Sequence, residues 1–173
     1  MATAAWPDDC LPPEAYFESR QALIQSINAW ALPRGYAFVM KKSVKERDGR
    51  TTVTYACDRS RRPPTSPLRK RQRRTTTRMT NCPFSVLVRE LSDGSWKLQY
   101  RFNQAFAVYN YEPSLHPSAY PVHRQLSEGA VSQVTSLANA GIALKDIQTI
   151  VWESGGGLIA TRQDIYNWIV DVR

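Results

Sequence analysis

The residues with the most chemistry to offer are two cysteines and two tyrosines. Cys57 closes an alternating run, Thr52-Val53-Thr54-Tyr55-Ala56-Cys57, and Cys82 opens another, Cys82-Pro83-Phe84-Ser85-Val86-Leu87-Val88. Twenty-four residues separate the cysteines, and 26 lie between Cys82 and Tyr109, which stands two positions before Tyr111. Two thiols on neighbouring strands, followed by two side chains at that spacing, lay out a small zinc-stapled sheet. Zinc takes thiolate or neutral imidazole, however, and a phenol with a pKa of about 10 is a poor ligand. Two thiolates alone rarely hold zinc tightly, because four-coordinate closure supplies the folding energy. A zinc-loaded sheet and a sheet that stands on packing alone both stay open. His116 and His123 could swing in as nitrogen donors, but both also read as surface residues of a proline-rich linker.

The second chemical feature is charge. The chain carries +8, and residues 59–78 hold nine of its 23 basic side chains with no acid among them. The remainder has 14 basic against 15 acidic side chains, a net of −1, so the polyanion signal belongs to one loop. Within it, Arg69, Lys70, Arg71, Arg73 and Arg74 form a cluster that can lie along phosphates without reading sequence. The same cluster reads as a nuclear import signal, with an import receptor as partner, and the two roles do not exclude each other. A solvated loop is the plainer alternative, although so many like charges repel one another unless a polyanion is near.

The elements that must position these groups follow from periodicity. Residues 1–13 read as a disordered leader. Glu14 to Trp30 reads as a helix whose stripe is Phe17, Ala22, Leu23, Ile27 and Trp30, ended by Pro33 and Gly35. Strands are expected over 36–43, 51–57, 84–91 and 95–102, with turns at Asp48-Gly49 and Asp93-Gly94. In the last strand Trp96, Leu98, Tyr100 and Phe102 should share a half-buried face. A short strand or extended segment from Ala105 should return Tyr109 and Tyr111 to the sheet. Residues 112–124 read as a proline-rich linker. Three helices follow within 125–173: one capped by Ser127 with Val131, Val134, Leu137 and Ala138 inward; one over 144–152 with Ile147, Ile150 and Val151 inward; and one begun by Thr161 to Asp164 with Ile165, Trp168, Ile169 and Val172 inward. The fold class is α+β: a module over 14–111 in which a small antiparallel sheet of about 35–111 packs against the helix at 14–30, then a three-helix, helix-turn-helix-like unit over 125–173.

Several classes are not expected. No apolar run approaches the roughly 18–20 residues that span a bilayer, so no membrane partner is read. The N-terminus has neither a basic start nor an apolar h-region, and the cysteine count is odd, so a reducing intracellular compartment is the default. There is no P-loop, HExxH or Ser-His-Asp grouping, and Asp146 and Asp164 sit at helix starts, where acids offset the dipole. The chain is not expected to be an enzyme and no catalytic residue is assigned. The oligomeric state cannot be read.

The run Cys57…Cys82…Tyr109-Asn110-Tyr111-Glu112-Pro113-Ser114, followed by His116-Pro117-Ser118-Ala119-Tyr120-Pro121-Val122-His123-Arg124, resembles the N-terminal region of fungal Mutator-like element transposases. That region is of the far-red-impaired-response type, in the WRKY-like zinc-finger superfamily. The resemblance extends through Ala160 to Asn167 and covers about residues 20–173. It implies a WRKY-like sheet, DNA as partner, a nuclear location and no catalytic domain within these residues. It also implies zinc ligands at Cys57, Cys82, Tyr109 and Tyr111, where the family has two cysteines and an HxH pair. Here the tyrosines leave the site degenerate, and zinc stays open. By the same resemblance the strand over 35–43 enters the major groove edge-on, with Lys41, Lys42 and Lys45 meeting phosphates and base acceptors. Arg162, Gln163 and Asn167, near the start of the last helix, are a weaker candidate for base contact, and helix capping explains them as well.

Tyr109, Tyr111, Tyr120, Trp168 and Val170 stand where the resemblance implies histidine, histidine, histidine, arginine and alanine. Each change can arise from one C-to-T transition, which makes a non-functional transposon relic a further alternative. Alignment of the gene with sister copies tests that idea: codon differences not predominantly C-to-T rule it out. A protein-interaction module is the other alternative.

Overall fold

Val53, Tyr55 and Cys57 alternate with Thr52, Thr54 and Ala56, and that run becomes an inner strand of a sheet. The computed structural model describes residues 11–63, 77–154 and 159–172. The chain divides into two compact units, Met1–Ser114 and Leu115–Arg173. The first is an antiparallel sheet of β1 (Tyr16–Phe17), β2 (Phe38–Lys45), β3 (Thr51–Cys57), β4 (Ser85–Glu90) and β5 (Trp96–Gln99), in the order β1-β5-β4-β3-β2. Register puts Val53 opposite Val88, Tyr55 opposite Val86 and Val88 opposite Leu98. These five side chains are buried and share one cluster with Leu23, Ile27 and Ala31 of the helix α1 (Arg20–Ala31). Burying each large aliphatic side chain contributes about 1.5–3 kcal/mol, so this packed face supplies most of the unit's cohesion.

The N-terminal helix is shorter than the periodicity suggests. Ser19 is its N-cap, its Oγ accepting the Ala22 N–H at 3.1 Å, and the chain before it is strand. Phe17, expected in the helical stripe, pairs with Trp96 across the sheet. A cap that close to an apolar residue lets tertiary pairing override the helical period. The helix also buries Asn28, which the sequence did not mark. Its Oδ1 accepts the Phe38 N–H at 2.8 Å and its Nδ2 donates to the Phe38 carbonyl at 3.3 Å, anchoring the start of β2.

Gly35 follows in the left-handed region, at φ 73°. A Cβ there would lie 2.5 Å from the Ser114 carbonyl oxygen, and the Ser114 N–H donates to the Gly35 carbonyl at 2.9 Å. Glycine therefore serves both the backbone conformation and the close approach of residues 113–114.

β5 ends at Gln99 rather than 102, and Phe102 is fully exposed, not half-buried. The chain leaves the sheet there because Asn103 accepts the Ala105 N–H at 2.9 Å and caps a 3-10 turn, Gln104–Ala107. Tyr109 and Tyr111 return after that turn, outside the five strands of the sheet.

The second unit contains α2 (Glu128–Asn139), α3 (Leu144–Glu153) and α4 (Arg162–Val172). Ser127 accepts the Ala130 N–H at 3.3 Å as the cap of α2. Thr161 and Asp164 cap α4 reciprocally: Asp164 Oδ2 accepts the Thr161 N–H at 2.8 Å, and Thr161 Oγ1 accepts the Asp164 N–H at 3.3 Å. Val134, Ile147, Val151 and Ile165 form the buried centre, with Leu126, Leu137, Trp168 and Ile169 packed around it. Ile150, expected inside, is exposed, because the inward stripe runs through the i, i+4 pair Ile147 and Val151. Residues 117–124, expected as linker, carry two 3-10 turns around a buried Tyr120.

Candidate functional site

Two features meet at the end of β3: a buried cysteine–tyrosine centre and an exposed basic cleft. The backbone brings the cysteines together. The Cys57 N–H donates to the Phe84 carbonyl at 3.0 Å, and the Cys82 N–H donates to the Arg59 carbonyl at 3.2 Å. Both cysteines are free and buried, and each thiol perturbs the other. Interaction with the Cys57 thiol is the main cause lowering the Cys82 thiol, to about 6, helped by the nearby Phe84 and Asn110 backbone N–H groups and by the Arg59 charge. Interaction with Cys82, with burial, pushes the Cys57 thiol up. Cys57 Sγ in turn accepts the Arg59 N–H at 3.3 Å and lies 2.8 Å from the Tyr111 hydroxyl.

The tyrosines are held by aromatic contacts. Tyr109 is sandwiched between Tyr36 and Phe84, with ring centroids 3.5 and 3.9 Å away and planes inclined by 10° and 11°. Tyr111 stands edge-on to Tyr36 and Tyr109, at 5.6 and 5.9 Å. The Arg59 guanidinium lies over the Tyr111 ring at 4.2 Å. Two thiols, one phenol bound to sulfur and one stacked phenol do not fit a structural zinc ion, which takes four thiolate or imidazole donors. His116 and His123 belong to the second unit, where the His123 ring meets Tyr120 edge-on at 5.9 Å.

Asn110, between the tyrosines, carries this order outward. Its Oδ1 accepts from the Thr80 hydroxyl at 2.9 Å and its Nδ2 donates to the Thr80 carbonyl at 2.9 Å. The Thr80 and Asn81 N–H groups donate to the Arg59 and Arg61 carbonyls at 3.1 and 3.0 Å. Asn81 sits at φ 56°, a left-handed conformation that asparagine tolerates better than most residues. Buried Asp58 pairs with Arg78 at 3.3 Å. These bonds close the base of the basic segment.

Beside that base lies a cleft of about 660 Å³ lined by Lys41, Arg61, Arg62 and Arg78, with Asp58 in its wall. Lys41 reaches it from β2 at an irregularity between Met40 and Lys42. Lys42 and Lys45 are exposed further along the same edge strand. Arg69, Lys70, Arg71, Arg73 and Arg74 lie outside the described residues. Arg162, Gln163 and Asn167 are exposed at the start of α4, where Gln163 Nε2 donates to Asn167 Oδ1 at 2.8 Å. The sequence reading counted Arg61, Arg62 and Arg78 as loop charge but did not select them individually. The available signal was Asp58, an acid placed directly before an arginine run. Asn110 was detectable only as the residue between the two tyrosines.

No known protein family profile matches the chain. It is 33% identical over 153 residues to the PKS-NRPS hybrid synthetase cheA of Chaetomium globosum, a match that covers 87% of this chain. The chain spans about 3% of that synthetase's length. No solved structure matches.

Proposed function

We propose that the chain is a DNA-binding module derived from a transposase, with a degenerate zinc site and no catalytic step of its own. The observation that carries this reading is the cleft: Lys41, Arg61, Arg62 and Arg78 come from separate chain segments to one wall, and Asp58 beside them is already paired with Arg78. Such a cluster suits phosphate oxygens, with Arg offering bidentate donors and Lys a point charge. Lys42 and Lys45 extend the positive edge along β2, and the run 69–74 adds charge on the same chain segment as Arg61 and Arg62. Phosphate contact gives affinity and position; base reading is left to the strand edge. A nuclear location, with an import receptor binding the basic run, belongs to the same reading.

Titration of a labelled DNA duplex at increasing salt tests it. The logarithm of affinity should fall against the logarithm of salt with a slope of about −0.9 per phosphate contact. The second reading is a nuclear protein-interaction module. An apolar partner surface would give an almost flat salt profile in a pull-down or dimerisation assay, and duplex DNA would not bind.

A further inference from the structure

We infer that the Cys57–Tyr111 hydrogen bond and the Tyr36–Tyr109–Phe84 stack form a metal-independent clasp, which pins residues 109–111 to the end of β3 as a zinc ion would pin them in a zinc-stapled sheet. Cys57 Sγ is already engaged: it meets the Tyr111 hydroxyl at 2.8 Å and accepts the Arg59 N–H at 3.3 Å. Cys82 is buried in the same cluster. The Arg59 guanidinium, 4.2 Å from the Tyr111 ring, adds a fixed positive charge that opposes a dication at the same place. Stacked aromatic rings attract beyond their buried area, and Tyr109 has such a partner on each face.

The clasp has an outlet. Asn110, between Tyr109 and Tyr111 in the chain, holds Thr80 by two hydrogen bonds, so the order of the centre reaches the base of the basic segment. That last step, from clasp to cleft, rests on the DNA-binding reading; the melting behaviour of the protein does not.

The test uses the full chain. Metal content is measured, and thermal unfolding is followed with and without EDTA and with added zinc. The clasp predicts no stoichiometric zinc and a melting temperature that EDTA leaves unchanged. Tyr111→Phe keeps the ring and removes the phenol–thiol bond, and should lower the melting temperature by about 5 °C. The double variant Tyr109→His, Tyr111→His should acquire zinc and a zinc-dependent rise in melting temperature. Stoichiometric zinc in the natural chain, lost together with stability on chelation, overturns the proposal. So does a Tyr111→Phe variant that melts like the natural chain. A folded double variant that ignores zinc would show that the tyrosines do not stand at ligand positions. DNA affinity, measured in parallel, separates failure of the clasp from failure of the DNA reading.

Discussion

Each of the two units is held together internally by its own kind of contact. In the sheet unit, side chains far apart in sequence fix one another: Tyr111 to Cys57, Asn110 to Thr80, Asn28 to Phe38, and Glu14 Oε1 to the Tyr100 N–H at 2.7 Å. In the helical unit the described side-chain hydrogen bonds include caps and i, i+4 pairs, and the buried centre consists of Val134, Ile147, Val151 and Ile165. Long-range bonds place particular atoms at particular points, which a recognition site requires. Local caps define the helices, and their mutual placement is set by a small apolar core with a few longer bonds, such as Ser154 Oγ to Gln133 Oε1 at 3.2 Å. The contrast locates precise geometry in the sheet unit. At the start of α4, Thr161 and Asp164 form the cap, and the exposed Gln163 bonds Asn167.

Substitutions can break or sharpen this contrast. Phe84→Ala should be the most damaging, since it empties a fully buried site and removes one face of the Tyr109 stack. About 3–5 kcal/mol of stability should be lost, measured by denaturant unfolding. Ile165→Ala should cost about 2–4 kcal/mol in the helical unit, followed by helical circular dichroism. If it costs more than Phe84→Ala, the view of a smaller helical core fails. Asn28→Ala strands the Phe38 N–H and carbonyl in a buried place and should cost about 1–3 kcal/mol. Asp164→Ala removes one cap and its 3.5 Å contact with Arg124, and should cost about 1 kcal/mol. A loss from Asp164→Ala as large as that from Asn28→Ala would erase the distinction between local and long-range bonds.

What was legible in the sequence follows the same division. β3 and β4 announce themselves by alternation, and Gly49 and Gly94 mark their turns with φ of 83° and 82°. Ser127 and the Thr161–Asp164 pair announce helix starts within four residues. These signals are local, so the α+β class could be read directly. β1 could not, because two residues carry no period and Phe17 also fits a helical stripe. The two cysteines were visible at strand ends, but the bond from Tyr111 to Cys57 spans 54 positions and depends on the return of the chain past Gly35. The cleft was hidden for the same reason: Lys41 and Arg78 are 37 positions apart and meet only through the sheet edge and the closed loop base. Tyr109 is stacked on both faces, Tyr120 is buried, and the Trp168 indole N–H approaches Thr135 Oγ1 at 3.5 Å.

The central claim is that the cleft beside β2 is where the chain meets phosphate. The most direct test compares the salt dependence of duplex binding in the natural chain with that of Lys41→Ala, Arg61→Ala, Arg62→Ala combined. Arg78 is left in place because it pairs with Asp58. The account predicts a slope less steep by about 0.9 for each contact removed, with the melting temperature almost unchanged. An unchanged slope in a folded triple variant would contradict it, and would move any DNA contact to the basic run alone.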